Sequence, residues 1–595
     1  MNITYEEQVM KTSKLFLISL ISLFSLFSSL SCNRESVNDG VHTFRIYATN
    51  DLHGRFFDSL FTNKGAQRVH PYSLASVCNY VKDSRIKYGE KGVILIDVGD
   101  HLQGDNSTFY FNYIDTNSVH IFSKIVNYMK YDAVVVGNHD IEAGHPVYDK
   151  IVKEMDAPYL AANAIDEKSG TPYFLPYTIL VRDGVKIAVI GMTNPNIPKW
   201  LSPELWKGIR FEEMVPSIEY WIDKIRSKEN PHIVIAAIHG GLGEEDAYTP
   251  ENPARYIAKN IKGLDIVFAS HDHKSTAEKI YNGKDSVWLF EGGSRASFLS
   301  SAIVNLRFSD GEVVSKSVEG EIIPIKDIPA DPEYLDNFRE DFLKVKSFTN
   351  QFVGTLNNKI TTRSAYFGPS EFIDMIHSLQ LVKSKADISF VAPLSYDVTI
   401  EAGGLNFQDL LNIYPYENQL YVIEMKGVEI KKYLEFSYSS WINKMDSKED
   451  NLLLLSSTGS GERGRFMNVF FNFDSAAGLI YEVNVTKERG NMVTILTMAD
   501  GTPFDPKRRY RVALSSYRAN GGGDLLELGA GISKDEMESR VIERLSDIRE
   551  LIYQYLKENG TLTATKLNHW KIVPEAFVKD AARRDYKTLF GVDPN

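Results

Sequence analysis

The 595-residue chain contains only two cysteines, Cys32 and Cys78. A disulfide framework and a thiolate-ligated zinc site are therefore excluded, and stability has to come from buried apolar cores. An excess of basic charge is also missing. The 66 Lys and Arg residues stand against 78 Asp and Glu, a formal charge of −12. A nucleic-acid polymer needs a basic footprint, so it is a poor partner for this chain. A small anionic substrate remains compatible if the site supplies its own positive charge. No repeat or low-complexity tract is present. The length exceeds one hydrophobic core and predicts two or three domains.

Long apolar runs are confined to the start. Lys11 and Lys14 precede the stretch Leu15–Cys32, which is too Ser-rich and short for a membrane span and reads as an export leader over residues 1–32. Glu6 and Glu7 are foreign to such a leader, which makes Met10 an alternative start. Cys32 follows Ser31 as in a bacterial lipoprotein signal, although Ser29 occupies a usually aliphatic position. The expectation is an exported protein, periplasmic or at the cell surface, lipidated at Cys32 and touching membrane only through that anchor. Ordinary signal cleavage without lipid is the alternative.

Over residues 43–330, short apolar runs such as "FRIYAT", "GVILIDV", "DAVVVG", "KIAVIGM", "HIVIAAI" and "LDIVFAS" alternate with amphipathic segments. Val119–Lys130 and Val215–Lys228 are predicted helices, and the alternation predicts a layered α/β domain. Residues 331–349 carry Tyr334, Leu335, Phe338, Phe342 and Val345 at helical spacing and predict a linking helix. Residues 350–575 have mixed strands, aromatic-rich loops and the run Gly521-Gly522-Gly523, and form a second α/β domain. Val541–Leu556 reads as a surface helix. The last twenty residues show no usable pattern.

Five polar clusters interrupt the first domain, each after an apolar run. They are Asp51-Leu52-His53, Gly99-Asp100, Gly137-Asn138-His139-Asp140, His239-Gly240-Gly241 and His271-Asp272-His273. A single histidine after a strand is more often a hydrogen-bonded core residue than a ligand. Five clusters at the strand ends of one α/β domain, where such folds place their chemistry, favour a site. Two aspartates, an asparagine and four histidines offer oxygen and imidazole donors, suited to borderline dications such as Mn, Zn, Co or Fe. Seven donors are too many for one tetrahedral ion and suit two ions sharing a carboxylate. Gly54, Gly99, Gly137 and Gly240 allow tight turns beside them. Asp132 and Asp265 read as turn or cap residues.

The order D-x-H, G-D, G-N-H-[D/E], H-G, H-x-H resembles the calcineurin-like dinuclear metallophosphoesterases. The resemblance implies a sandwich of two mixed sheets flanked by helices. It implies that Asp51, His53, Asp100 and His273 hold one ion, and that Asp100, Asn138, His239 and His271 hold the other, with Asp100 bridging. His139 would face the phosphate as a catalytic residue, oriented by Glu142, although the family more often reads GNHEFD where this chain has GNHDIE. Asn138 also counts as a substrate contact, and Asp272 is assigned no role. Phosphate-ester hydrolysis needs upward of ~20 kcal/mol of transition-state stabilisation. A positioned acid or base provides only about 10²–10⁴-fold. Hydroxide activated by two metals accounts for much more.

The second domain resembles the substrate-binding domain of the 5′-nucleotidase family through "LLNIYPYENQLYVIEMKGVEI" (Leu410–Ile430) and "YRVALSSYRANGGGD" (Tyr510–Asp524). The resemblance implies that Tyr416 and Tyr517 sandwich a nucleobase, and that Asn418 and Asp524 make polar contacts to base or ribose. Asp397 stands about where 5′-nucleotidases carry a phosphate-holding arginine. The Ala392-Pro393 step, "SYRANGGG" and "NHWKIVP" (Asn568–Pro574) look like the bacterial 2′,3′-cyclic-nucleotide 2′-phosphodiesterase/3′-nucleotidases. The expected function is hydrolysis of 2′,3′-cyclic nucleotides and 3′-nucleotides to nucleosides and phosphate by a monomer. The alternatives are a 5′-nucleotidase or UDP-sugar hydrolase, a phosphatase for non-nucleotide esters, and a surface nucleotide-binding lipoprotein without hydrolase activity.

Overall fold

Along the strand Gly40–Thr49, Phe44, Ile46 and Ala48 enter one buried core while Tyr47 enters another. Alternation of period two produces this division, so both faces of the sheet are covered. Val93–Asp97 divides likewise, with Ile94 and Ile96 on the first side and Val93 and Leu95 on the second. The computed structural model describes residues 37–59, 61, 72–283, 285–416, 418–456 and 465–594. The predicted leader and Cys32 lie outside the described residues.

Two six-stranded sheets build the first domain. One runs Glu312–Pro324, Phe298–Ser309, Gly40–Thr49, Val93–Asp97, Ala133–Val135, Tyr159–Leu160. The other runs Ser275–Asn282, Asp285–Gly292, Ile266–Phe268, Ile233–Ile238, Val185–Met192, Tyr177–Arg182. In the first sheet the pairs from Gly40–Thr49 to Tyr159–Leu160 are parallel and those toward the other edge antiparallel. In the second the parallel middle is flanked by an antiparallel pair at each edge, so both sheets are mixed. Ile46, Ile96, Val135, Val189, Ile235 and Phe268 fill the space between them. Helices Leu74–Tyr88 and Ile121–Met129 cover the outer face of the first sheet. Met214–Lys228 and Ala254–Asn260 cover the second. This is the expected α/β sandwich. Thr49 pairs with Asp97, Asp97 with Val134, and Phe268 with Ala237. Parallel registers of this kind bring the carboxyl ends of several strands to one edge, where the polar clusters begin.

The linker consists of two helices, Pro332–Asn337 and Arg339–Thr349, in place of one. They meet at Phe338 (φ −102°, ψ 13°), whose ring is buried against Tyr128 and Tyr334. In the second domain a five-stranded sheet runs Ser475–Ala477, Ile388–Val391, Arg509–Ser515, Gln419–Lys426, Val541–Asp547. The predicted surface helix from Val541 is thus half wrong. Val541–Asp547 is a strand paired with Gln419–Lys426, and the helix Ile548–Asn559 begins where Asp547 accepts the backbone N–H groups of Arg549 and Glu550. Near the end, where no element was expected, Glu575–Phe590 is a helix that buries Ala581, Asp585 and Leu589 four residues apart.

Candidate metal centre and substrate cleft

Five of the seven predicted donor residues adopt left-handed backbone: Asp51 (φ 47°), His53 (45°), Asp100 (58°), His271 (84°) and His273 (59°). This region is costly for residues with a Cβ, and such strain persists where the surrounding fold enforces it, commonly at functional sites. Each reversal follows a strand end. Together they let donors from separate strands face common centres.

Two donor groups result. Asp51, His53 and His273 offer atoms within 4.8 Å of one another, and so do Asp100, His239 and His271. Asn138 joins the second group, with Oδ1 3.0 Å from both His239 Nε2 and His271 Nδ1. Asp100 Oδ2 lies 3.2 Å from His239 Nε2. The same carboxylate feels His53 and is felt by Asp51, so the two groups adjoin at Asp100. Burial, opposed by His239 and reinforced by Asp100, pushes the Asp51 carboxyl up to about 7. Nε2 of His53 and Nε2 of His273 are 3.0 Å apart. A crowded set of oxygen and imidazole donors, with a buried carboxyl short of counter-charge, fits divalent cations.

Neighbouring groups fix how the donors point. His239 Nδ1 is 2.9 Å from the Val98 carbonyl, and donating there leaves Nε2 for the centre. His53 Nδ1 is 3.2 Å from the Gln103 carbonyl. Nε2 of His271 is 3.3 Å from Glu251 Oε1, and Trp200 stacks on the same ring at 5.4 Å. Asn50 donates to Asp51 Oδ2 at 2.8 Å. Asp140, the last residue of the Gly-Asn-His-Asp cluster, is fully buried and accepts the backbone N–H groups of Gly137, Asp100, His101 and Leu102. It ties the two donor loops together. Gly137 is needed for close approach, because a Cβ there would lie 2.2 Å from Asp100 Oδ1.

Asp272, left without a role by the sequence, is bonded to Glu291, and its Oδ2 accepts from Leu242 N–H at 3.2 Å. Burial and Asp272 push the Glu291 carboxyl well above the usual range, and Glu291 Oε1 accepts Lys274 N–H at 2.9 Å, which anchors the chain leaving the His-Asp-His tripeptide. Glu251, Trp200 and Glu291 carried no sequence pattern. Asp140 did carry one, an acid three residues after Gly137 at a helix start. Asp132 and Asp265 serve the scaffold, accepting from Leu95 and Val234 N–H and pairing with Arg182 and Lys316.

His139 opens toward a cavity. Its backbone N–H donates to Asp100 Oδ1 at 2.8 Å, and Nδ1 is hydrogen-bonded to the Glu142 carboxylate. Burial disfavours charge on this ring, but Asp100 and Glu142 outweigh it and raise the imidazole to about 9. The cavity, about 210 Å³, is lined by His139 and Glu142 and, across from them, by Ser395, Gln408 and Asn412 of the second domain. A second cavity of about 320 Å³ lies between Glu142, Trp200 and Ser202 and the second-domain residues Asn418, Ser516 and Asp547.

In the second domain, Leu420 pairs with Ser515 across antiparallel strands, so Tyr416 and Asn418 sit beside Ser516 and Tyr517. Gln419 N–H donates to Ser516 Oγ at 3.2 Å. Burial pushes the Tyr517 hydroxyl up to about 12; Arg518 opposes this, while Glu251, Tyr416 and Asp524 add to it. These groups therefore cluster, and through Glu251 the tyrosines adjoin His271. Gly522 is packed on the Tyr517 ring, where a Cβ would come within 2.5 Å. Arg518 is held by Asp474 at 2.8 and 3.0 Å and by Asn472 at 2.8 Å. Asp397 is not a bare carboxylate: Arg363 grips it with two hydrogen bonds of 2.6 and 2.8 Å, which cancels much of the repulsion expected from it.

Residues 44–275 match the calcineurin-like phosphoesterase family, and residues 352–527 match the 5′-nucleotidase C-terminal domain. The trifunctional nucleotide phosphoesterase protein YfkN of Bacillus subtilis is 24% identical over 91% of the chain, which spans 39% of that protein's length. A 2′,3′-cyclic-nucleotide 2′-phosphodiesterase/3′-nucleotidase of Yersinia enterocolitica is 22% identical, over 89% of this chain and 88% of its own. The structure of a Staphylococcus aureus protein assigned as a 5′-nucleotidase superposes with a TM-score of 0.75 at 22% identity, covering 89% of this chain and 99% of that one. With its phosphoesterase sandwich and nucleotidase-type second domain, the chain belongs to the 5′-nucleotidase family of calcineurin-like metallophosphoesterases and is a phosphoric ester hydrolase.

Proposed function

We propose that the chain is an exported nucleotide phosphohydrolase that opens 2′,3′-cyclic nucleotides and then removes the remaining 3′-phosphate. The observation that carries this reading is the adjacency of the two donor groups to the His139–Glu142 pair, at a cavity whose far wall belongs to the second domain. Asp51, His53, Asp100 and His273 would hold one cation, and Asp100, Asn138, His239 and His271 the other. Two divalent cations, when bound, supply charge for the phosphate and make water acidic enough to act as nucleophile at neutral pH.

The chain's own residues divide the remaining tasks. With Nδ1 engaged by Glu142, His139 has Nε2 left for the cavity, and its raised affinity for a proton suits it to protonate the leaving oxygen. Tyr416 and Tyr517 would stack on either side of the base, at about 1–3 kcal/mol per base, without regard to base identity. Asn418 and Asp524 would hold base or ribose. The preference for cyclic and 3′-nucleotides is supported by the Yersinia relative and by the engagement of Arg363 with Asp397, which leaves this arginine committed and not free to hold a 5′-phosphate. A second reading, 5′-nucleotidase or UDP-sugar hydrolase, rests on the family of the second domain.

One panel separates them. Purified chain with Mn²⁺ hydrolyses 2′,3′-cyclic AMP and 3′-AMP faster than 5′-AMP. Preference for 5′-AMP or a UDP-sugar would replace the first reading by the second. Export and a lipid at Cys32 complete the proposal; among the described residues no helix is long and apolar enough to cross a membrane. Mass spectrometry of the N-terminal peptide tests the lipid.

A further inference from the structure

Arg55 and Arg295 line the cavity that holds His139 and Glu142. Arg55 sits two residues beyond His53, and the backbone N–H of Arg295 donates to the Asp51 carbonyl at 2.8 Å. Both are thereby fixed beside the first donor group. Several other half-buried or buried arginines are paired with carboxylates: Arg182 with Asp132, Arg363 with Asp397, Arg518 with Asp474, Arg540 with Glu429. Among the described residues, no carboxylate comes within ion-pairing distance of either Arg55 or Arg295. Nε of Arg55 is buried and has no hydrogen-bond partner among the described residues.

The two guanidiniums also repel each other. Burial and Arg295 pull Arg55 below the usual arginine range. Asp105 is a carboxylate that feels both of them, though it ion-pairs with neither. Part of Asp105 is already committed, since Oδ1 accepts Ser107 N–H at 3.3 Å. Two half-buried cations beside one partly committed acid are unfavourable unless an anion enters with the missing hydrogen bonds. The opposite wall offers Ser395, Gln408 and Asn412, which carry no charge.

We propose that Arg55 and Arg295 form an anion subsite for a second phosphate, separate from the one hydrolysed, so that nucleotides bearing two phosphates are preferred ligands. This rests on the nucleotide reading above. The shared chemistry is a phosphate dianion, whose source is the nucleotide itself or free orthophosphate.

The test is calorimetric binding to the metal-loaded full chain, carrying His139→Asn to suppress turnover. Adenosine 3′,5′-bisphosphate binds at least about tenfold more tightly than 3′-AMP. Adding R55Q or R295Q brings the ratio toward one, and R295K retains part of it. Orthophosphate that binds alongside 3′-AMP, and ceases to do so with R295Q, supports the same subsite with free phosphate as its source. Equal affinities for the two nucleotides, with no orthophosphate bound beside 3′-AMP, overturn the proposal. The ratio with both arginines intact is readable even if R295Q folds poorly. Failure of the unsubstituted chain to hydrolyse 3′-AMP would sink the nucleotidase reading while leaving this ratio measurable.

Discussion

Nδ1 of His139 is hydrogen-bonded to the carboxylate of Glu142, one helical turn away in the five-residue helix Asn138–Glu142. The pair fixes the ring and favours its protonated form while leaving the second nitrogen to the cavity. Removing the imidazole as His139→Ala lowers kcat by about 10²–10⁴-fold, the range of a positioned acid. Glu142→Gln has a smaller effect. Metal content, measured on the same samples, stays at two ions per chain in both variants. Loss of metal from the His139 variant would make it a ligand and not an acid.

Gly137 touches Asp100 too closely for any side chain. Gly137→Ala places a Cβ 2.2 Å from Asp100 Oδ1, and the carboxylate shared by both donor groups has to move. Metal affinity falls by about 10–100-fold, as for other changes to the support of a metal ligand. Titration of the metal-free chain with Mn²⁺ checks this, and unchanged affinity would mean that Asp100 is not a ligand.

On the proposed function the tyrosine pair acts on the base and not on the phosphate. Tyr517→Ala and Tyr416→Ala each raise KM for 3′-AMP by about 5- to 150-fold, the equivalent of ~1–3 kcal/mol of stacking. Tyr517→Phe retains most of the affinity. KM for glycerol phosphate, which has no base, does not move. An equal rise for both substrates would reduce the tyrosines to scaffold.

One buried histidine in each domain sets the acid limit of stability. His120 contacts Asn112 Oδ1 at 3.0 Å, and His377 contacts Ser389 and Ser475 at 3.0 and 3.2 Å. Burial pushes both imidazoles down to about 3. Between about pH 6.5 and 3 the unfolded chain binds protons that the folded chain does not, so stability is complete above 6.5 and is lost as the pH falls. Each histidine contributes a slope of up to about 1.4 kcal/mol per pH unit. Thermal unfolding across this window should flatten for the second domain in His377→Asn. An unchanged slope would refute the assignment.

The donors were legible because each interrupts an apolar run with a residue type that a buried strand does not tolerate. The apolar run Ala133-Val134-Val135-Val136 marks one such strand, and Asn138 and His139 mark where it has ended. The residues that aim the donors were not legible. Glu251 and Glu291 are ordinary acids in sequence, and only tertiary packing brings them to His271 and Asp272. Arg55 and Arg295 were invisible for the same reason, being 240 positions apart and marked by the partners they lack. At Val541–Leu556 the apolar spacing runs on across a strand-to-helix junction, and the capping role of Asp547 depends on the turn it occupies.

Asp51, Asp100 and Asn138 leave the ends of one sheet, and His239, His271 and His273 follow strands of the other. Neither layer alone can assemble a complete coordination sphere. Cation binding is therefore linked to the docking of the layers, so chelation should loosen the whole first domain cooperatively and not merely free its loops. A fragment ending before His239 would keep Asp51, His53, Asp100 and Asn138 but lose every donor of the opposing layer. It would be neither a weak enzyme nor a partial one, only an unfinished sandwich.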